Sequence, residues 1–218
     1  AKDAVLDYMR QNGVSAYDET THSGLVRHIY VRHAAATGEV MACLVVNGSR
    51  LPQEEALVSL LRERVSGLKS VILNTNTRPG NAVLGEAQRT LWGADAIEDV
   101  LCGLRFRISP KSFYQVNRAQ AEVLYGKALA AAGLTGCERV LDLYCGTGTI
   151  TLCLAAGAKE AVGVELSEAA IRDAEENARR NGVSNVRFFC ADAGEAAQRL
   201  CAEGAQPDVI VVDPPRKG

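Results

Sequence analysis

No C-x-x-C pair occurs among the seven cysteines at 43, 102, 137, 145, 153, 190 and 201. Their odd number and scattered spacing disfavour both a disulfide framework and a zinc knuckle, leaving small core residues as their ordinary role. Histidine is scarce too: His22, His28 and His33 lie near one expected strand without ligand spacing, so no metal site is expected. Neither sign of charge is in excess, with 24 Lys and Arg against 26 Asp and Glu for a net charge of -2. That balance argues against nonspecific polyanion binding through bulk charge, while leaving room for a local basic surface. No apolar run approaches the roughly 20 residues of a membrane span, and no signal peptide opens the chain, so no membrane contact and a cytoplasmic location are expected. The first residue is Ala1 instead of Met, which hints at a processed or excised piece. What is present is ample apolar material: 47% of 218 residues, enough to build one large domain or two small ones around a core.

Two halves differ in texture. Residues 1–108 read as a compact α+β module. A short amphipathic helix, Val5 to Gln11, precedes two alternating stretches, Leu25 to His33 and Glu39 to Val46, arranged as a hairpin around Thr37-Gly38. Asn47-Gly48 turns the chain. Pro52 suits the first turn of a helix on which Leu57, Leu60, Leu61 and Val65 share a face. Further strands are expected over Ser70 to Asn76, Gln88 to Trp92 and Asp99 to Ile108.

Residues 109–218 alternate strand and helix. A helix over Arg118 to Ala132, capped by Asn117 with Gln120 three residues on, stops at Gly133 and leads into strand Arg139 to Leu143. After a glycine loop and a helix come strand Ala161 to Glu165 and a helix started by Ser167, with Ile171, Ala174 and Ala178 as its apolar stripe and Asn181-Gly182 as its stop. Strand Val186 to Cys190, a helix near Glu195 to Cys201 and strand Val209 to Val212 complete the series. Repeated βα units with buried strands define an α/β fold with a doubly wound parallel sheet.

Chemistry concentrates in VLDLYCGTG at Val140 to Gly148, VGVEL at Val162 to Leu166 and VIVVDPPRKG at Val209 to Gly218. Asp142, Gly146 and Gly148 give a D-x-x-x-G-x-G loop that must pass a bulky ligand closely. Glu165, 17 residues beyond Gly148, ends a second apolar strand, where an acid can accept hydrogen bonds from both ribose hydroxyls. A dinucleotide fingerprint would need a third glycine at position 151, which is Thr; a phosphate loop would need Lys and then Ser or Thr after Gly148, where Thr149-Ile150 stand. S-adenosylmethionine, which has no pyrophosphate, fits the remaining pattern, with Asp192 at the next strand end for the adenine amine. Asp213, Pro214 and Pro215 either hold a planar base rigidly at the pocket mouth or merely end an edge strand. Amino-group methyltransferases commonly carry an aromatic residue after the two prolines, and here that residue is Arg216.

The chain resembles the RNA uracil-C5 methyltransferases, which make 5-methyluridine in ribosomal or transfer RNA. The matching stretches are SPKSFYQVN at Ser109 to Asn117, VLDLYCGTGTITLCLA at Val140 to Ala155, the run from Val162 to Asp192, and DPPRKG at Asp213 to Gly218. The resemblance implies a Rossmann-like methyltransferase domain preceded by a central RNA-contacting module. It implies that Gln115, Tyr144, Glu165 and Asp213 line the cofactor and target-base pocket, with Thr149 near the methionine end. Gln115, Asp213 and Arg216 are the substrate-side candidates. On residues alone Gln115 could simply end a strand, and Arg216 with Lys217 could meet RNA or solvent. Arg105, Arg107, Lys111 and Arg118 either form a phosphate-contacting surface or are scattered surface cations. Trp92 reads as core more readily than as a stacking platform.

Two family features are not seen: the N-terminal oligonucleotide-binding domain with its cysteine-rich segment, and the later strand bearing a nucleophilic cysteine and a base. In that family a thiolate adds to C6 of the poorly nucleophilic uracil, so C5 can attack the methyl group before a base removes its proton. Cys145 reads as a small residue under the loop, not as a substitute thiolate. No catalytic residue is therefore expected before Gly218, and the chain alone is expected to be inactive. Two alternatives remain: a methyltransferase for amines or small molecules, and a non-catalytic fragment that binds the cofactor or RNA. With the usual strand order 3-2-1-4-5-7-6, ending after the fourth strand leaves VIVVD as an unpaired apolar edge, and self-association is expected there.

Overall fold

The computed structural model describes residues 1–202, 204 and 206–214. The chain divides into two units, Ala1–Asp99 with Ser109–Lys111, and Val100–Ile108 with the chain from Ser112 onward. The sequence places the boundary after Ile108; the structure instead groups Val100–Ile108 with the second unit. The reason is local pairing. The Arg105 N–H donates to Asn181 Oδ1 at 2.8 Å, Asn181 Nδ2 returns a bond to the Arg105 carbonyl at 2.7 Å, and the Arg107 N–H donates to Asn177 Oδ1 at 2.8 Å.

In the first unit, helix α1 (Lys2–Gln11) begins three residues before its expected start and buries Val5, Tyr8 and Met9. Strands β1 (Val26–His33) and β2 (Val40–Val46) form the expected antiparallel hairpin. Helix α2 (Glu54–Arg64) then carries the chain to β3 (Leu68–Thr75), parallel to β2, and β4 (Ala87–Gly93) closes the sheet in the order β1-β2-β3-β4. Pro52 lies before α2 and not in its first turn, because Gln53 takes a left-handed conformation at the N-cap. Leu57 and Leu61 of α2 pack with Val5 and Tyr8 of α1 over Ala42, Leu44, Val71 and Leu73 of the sheet. Trp92 joins the rim of this core with the Arg62 guanidinium 5.0 Å over its ring, in keeping with a packing role.

One expected strand proves to be two. Residues 99–108 belong to a hairpin of β5 (Ile97–Leu101) and β6 (Leu104–Ile108), because Cys102 and Gly103 both adopt positive φ, 52° and 78°, and make a two-residue turn.

In the second unit, α3 (Arg118–Ala132) is capped as expected: Asn117 Oδ1 accepts from the Gln120 N–H at 3.2 Å, and Gly133 ends the helix with φ +58°. Strands β7 (Arg139–Leu143), β8 (Glu160–Glu165), β9 (Val186–Cys190) and β10 (Val209–Val212) form a parallel sheet in the order β10-β7-β8-β9. That is the first four-strand portion of the expected order. Helices α4 (Thr149–Ala155), α5 (Glu168–Arg180) and α6 (Ala193–Ala202) connect the strands. Val140 and Ala161 face Leu154 and Ala155 of α4, whereas Leu141, Val162 and Val164 face Ala196 and Leu200 of α6. The period-2 alternation of a strand thus gives this sheet an apolar contact on each side, which is why its strands read as nearly continuous hydrophobic runs. Among the described residues β10 pairs only with β7 and leaves Ile210 and Val212 exposed.

Candidate functional site

The site gathers where β7 to β10 end. Asp142, one residue before the end of β7, is 1% exposed, and Thr151 Oγ1 of α4 donates to its Oδ2 at 2.6 Å. Thr151 thus does more than replace a fingerprint glycine: it brings a hydroxyl to the buried strand acid. Burial pushes the Asp142 carboxyl up to about 7; the Thr151 hydrogen bond opposes that shift, while the Asp213 and Glu165 charges add to it. The chain then turns at Tyr144, whose φ of +70° is a conformation that non-glycine residues rarely hold without support.

Glu165, at the end of β8, is held by two backbone donors. The Gly146 N–H reaches Oε2 at 3.2 Å and the Ser167 N–H reaches Oε1 at 3.0 Å. Each oxygen keeps a further lone pair, so the carboxylate can be fixed by the protein and still accept from a ligand. Gly148, at φ +80°, begins α4 so close to its neighbours that a Cβ there would lie 3.1 Å from both Ala174 Cβ and Phe188 Cζ. Gly163 is tighter still: an added Cβ would meet Phe188 Cδ1 at 2.6 Å and Cys145 Sγ at 2.9 Å. Asp192 starts α6, where its Oδ1 accepts from the Gly194 N–H at 2.8 Å.

These elements enclose a cavity of ≈ 760 Å³, within the usual range of small-ligand sites. Seven residues singled out from sequence line it together: Gln115, Tyr144, Gly146, Thr149, Glu165, Asp192 and Asp213. Gly148 is not a wall residue; it lies beneath the loop against Phe188 and Ala174, and its role there is close packing. Arg216, and with it Pro215, lies outside the described residues. Of the four cations considered for phosphate contact, Arg107 pairs with Asp173, Lys111 Nζ donates to the Glu86 carbonyl and Arg118 binds Glu122 and the Val100 carbonyl, which favours structural roles for these three.

Sequence reading missed several wall residues. Phe113 sits two residues before Gln115 and is 70% exposed, and Leu166 follows Glu165 and is 72% exposed. Both are large apolar side chains beside a polar motif, and that was the available signal. Tyr125 of α3 enters from below, its hydroxyl 3.0 Å from Thr149 Oγ1 and its pKa pushed up to about 12 by burial. Cys145 also lines the cavity, yet it is buried, and desolvation together with the Asp142 and Glu165 charges pushes its thiol well above the ordinary range. Such a thiol is poorly suited to attack as a thiolate.

The lining has a definite electrostatic sign. Asp142, Glu165, Asp192 and Asp213 face the cavity, and no Lys, Arg or His does so among the described residues. That arrangement suits an adenosyl sulfonium, which is cationic at sulfur, and opposes a pyrophosphate. The Glu165 carboxylate at the end of β8 and the exposed apolar surfaces of Leu166 and Phe113 agree with the same ligand.

Residues 135–214 match the family model described as a methyltransferase domain. With the parallel sheet and its cavity, the match defines a Rossmann-like, S-adenosylmethionine-dependent methyltransferase domain, preceded by a mixed α+β region. An uncharacterized RNA methyltransferase of Caldanaerobacter subterraneus subsp. tengcongensis is 46% identical over 98% of this chain, and one of Halalkalibacterium halodurans is 44% identical over 98%. The chain is similar to these RNA methyltransferases, and it spans 47% of the length of each of those two relatives. Among solved structures, the Pyrococcus abyssi tRNA (uracil-54, C5)-methyltransferase in complex with S-adenosyl-L-homocysteine superposes with a TM-score of 0.79 at 26% identity, covering 98% of this chain and 50% of that one. A SAM-dependent methyltransferase from Agrobacterium tumefaciens, 23% identical with a TM-score of 0.52 over 81% of this chain and 54% of its own, shares the fold.

Proposed function

We propose that this chain forms the cofactor site and part of the base site of an RNA methyltransferase that places a methyl group on C5 of uridine in ribosomal or transfer RNA. The observation that carries the proposal is the all-acidic charge of a cavity bounded by the glycine loop, Glu165 and Asp213. The uracil-54 specificity in the name of the Pyrococcus neighbour supports the C5 assignment. When bound, the cofactor supplies an electrophilic methyl group on sulfur. Glu165 is assigned to the ribose hydroxyls, Leu166 to the adenine face and the free oxygen of Asp192 to the adenine amine. Tyr144, Gly146 and Thr149 shape the methionine side. Gln115 and Asp213 are assigned to the polar edge of the target base, with Arg216 as a further substrate contact, and a base inside an RNA loop would have to be splayed out to reach them. The protein is expected to act in the cytoplasm.

Uracil C5 becomes nucleophilic only after a thiolate adds to C6, and the sole cavity-lining thiol among the described residues, Cys145, is held protonated. Neither the nucleophile nor the base is therefore assigned among the described residues, and the site they form is proposed to bind the cofactor without itself supplying the thiolate. The exposed Ile210 and Val212 on β10 support self-association of the chain, which light scattering would detect.

The test is methyl transfer from tritiated cofactor to unmodified ribosomal and transfer RNA, followed by nucleoside analysis, using the 218-residue chain beside a full-length family member. Label in 5-methyluridine with the full-length protein and none with the chain is the expected pair of results. Label on an exocyclic amine or a small molecule would overturn the C5 assignment, and turnover by the chain after replacement of every cysteine would overturn the thiolate requirement.

A further inference from the structure

Helix α5 and its C-cap carry Asp173, Asn177 and Asn181 at successive i, i+4 positions, one polar row along a helix face. Neither Asp173 nor Asn177 lines the cavity. Asn177 is fully buried; its Oδ1 accepts from the Arg107 N–H at 2.8 Å, and its Nδ2 donates at 3.1 Å to the carbonyl of Thr147, in the middle of the glycine loop. Asp173 is similarly divided. Its Oδ1 pairs with Arg107 Nη1 at 2.9 Å, and its Oδ2 accepts from Ser112 Oγ at 2.7 Å. Ser112 is itself buried and immediately precedes Phe113 and Gln115, which face the cavity. A long contact of 3.5 Å from Thr147 Oγ1 to the Phe113 carbonyl spans the two walls directly.

Asn181 uses both its amide oxygen and its amide nitrogen to attach α5 to β6, whereas Asp173 and Asn177 attach it through one acceptor oxygen each. Here the remaining donor and the second carboxylate oxygen are directed to two other segments, the glycine loop and the stretch from Ser112 to Gln115. We propose that Asp173 and Asn177 are positioning residues that couple the cofactor wall to the target-base wall, so that filling the glycine-loop side orders Phe113 and Gln115 for the substrate. The proposal rests on the cofactor and base assignments given above. A polar row with the fully buried Asn177 at its centre suits this task, because leaving that amide unpaired is costly. Displacement at Thr147 is therefore transmitted to α5 and from there to Ser112.

Hydrogen–deuterium exchange of the chain with and without S-adenosylhomocysteine tests the coupling. In the unaltered protein the ligand is expected to protect both residues 142–150 and residues 112–117. Ser112→Ala removes the hydroxyl that bonds Asp173: protection of 142–150 should persist, with ligand affinity within about twofold, while ligand-dependent protection of 112–117 disappears. Asn177→Asp keeps the acceptor for Arg107 but removes the donor to Thr147, and affinity should fall by about fivefold, the equivalent of one hydrogen bond. Thermal melts establish that each variant is folded; should Asn177→Asp not fold, Ser112→Ala carries the test alone. Unchanged protection of 112–117 in Ser112→Ala would overturn the proposal. So would protection confined to 142–150 in the unaltered protein, which would leave the cofactor assignment standing. Protection of neither segment would instead refute the cofactor assignment and the coupling with it.

Discussion

Asp142 offers the sharpest quantitative prediction. Its carboxyl is buried, its ordinary value of 3.8 is raised to about 7, and the facing groups are the Thr151 hydroxyl, Asp213 and Glu165. A shift of that size corresponds to about 4 kcal/mol against the ionised form. Because the folded protein holds this proton more tightly than the unfolded chain does, the stabilisation is fully present below about pH 4. It is lost as pH rises toward about 7 and stays absent above that value. The melting temperature should fall across that window in the unaltered protein, and less so in Asp142→Asn, which has no carboxyl to titrate. A cationic ligand reverses the preference, since it favours the carboxylate. Affinity for S-adenosylmethionine should therefore rise with pH below about 7, by at most about tenfold per unit, and level off above it. Titration calorimetry in two buffers of different ionisation enthalpy should register proton release below that plateau. The controlling comparison is with Asp142→Asn, which removes this carboxyl and leaves every other titrating group in place. A pH-independent affinity, or the same slope in both proteins, would refute the assignment of the titration to Asp142.

Other perturbations are equally direct. Glu165→Gln leaves one carboxamide oxygen for two backbone donors and turns an amide NH₂ toward the second. Calorimetry should show cofactor affinity reduced by roughly 10- to 100-fold, equivalent to about 1–3 kcal/mol. Gly163→Ala forces a methyl group to 2.6 Å from the Phe188 ring, and scanning calorimetry should show it destabilised by about 1–3 kcal/mol. Adding Phe188→Leu should recover part of that loss, and strict additivity of the two changes would argue against the clash. Alkylation with iodoacetamide at pH 8 should label the exposed Cys102, Cys137 and Cys190 before Cys145, as read by peptide mass spectrometry. Preferential labelling of Cys145 would contradict its protonated, buried state.

Much of the second unit was legible because local rules and tertiary demands agree there. Asn117 caps α3, Ser167 caps α5, and the strands at 139–143, 186–190 and 209–212 end where their apolar runs end. Seven cavity-lining residues were legible for a related reason: each sits at or past a strand end, where a parallel sheet presents its ligands, at the start of α4, or in the stretch that opens α3. The errors have local physical causes. Cys102 and Gln53 adopt left-handed backbone conformations that their side chains do not advertise, so a hairpin read as one strand and Pro52 was placed inside a helix that begins after it. Gly148 was assigned to the cavity because a glycine at a strand end suggests ligand approach, whereas its space is filled by Phe188, forty residues away. The Asp173 and Asn177 row was invisible for a similar reason. Its partners Arg107, Ser112 and Thr147 lie 30 to 70 residues distant, and an i, i+4 row of Asp and Asn on a helix otherwise reads as a solvated face.

The most direct measurement is a crystal structure of the chain grown with S-adenosylhomocysteine. The nucleoside should occupy the cavity between Leu166 and Asp192, with both ribose hydroxyls bonded to Glu165 and the amino-acid end toward Asp142 and Thr149. Ligand bound elsewhere, or Glu165 and Asp213 turned away from a shared space, would contradict the assignment of this cavity as the methyl-donor site.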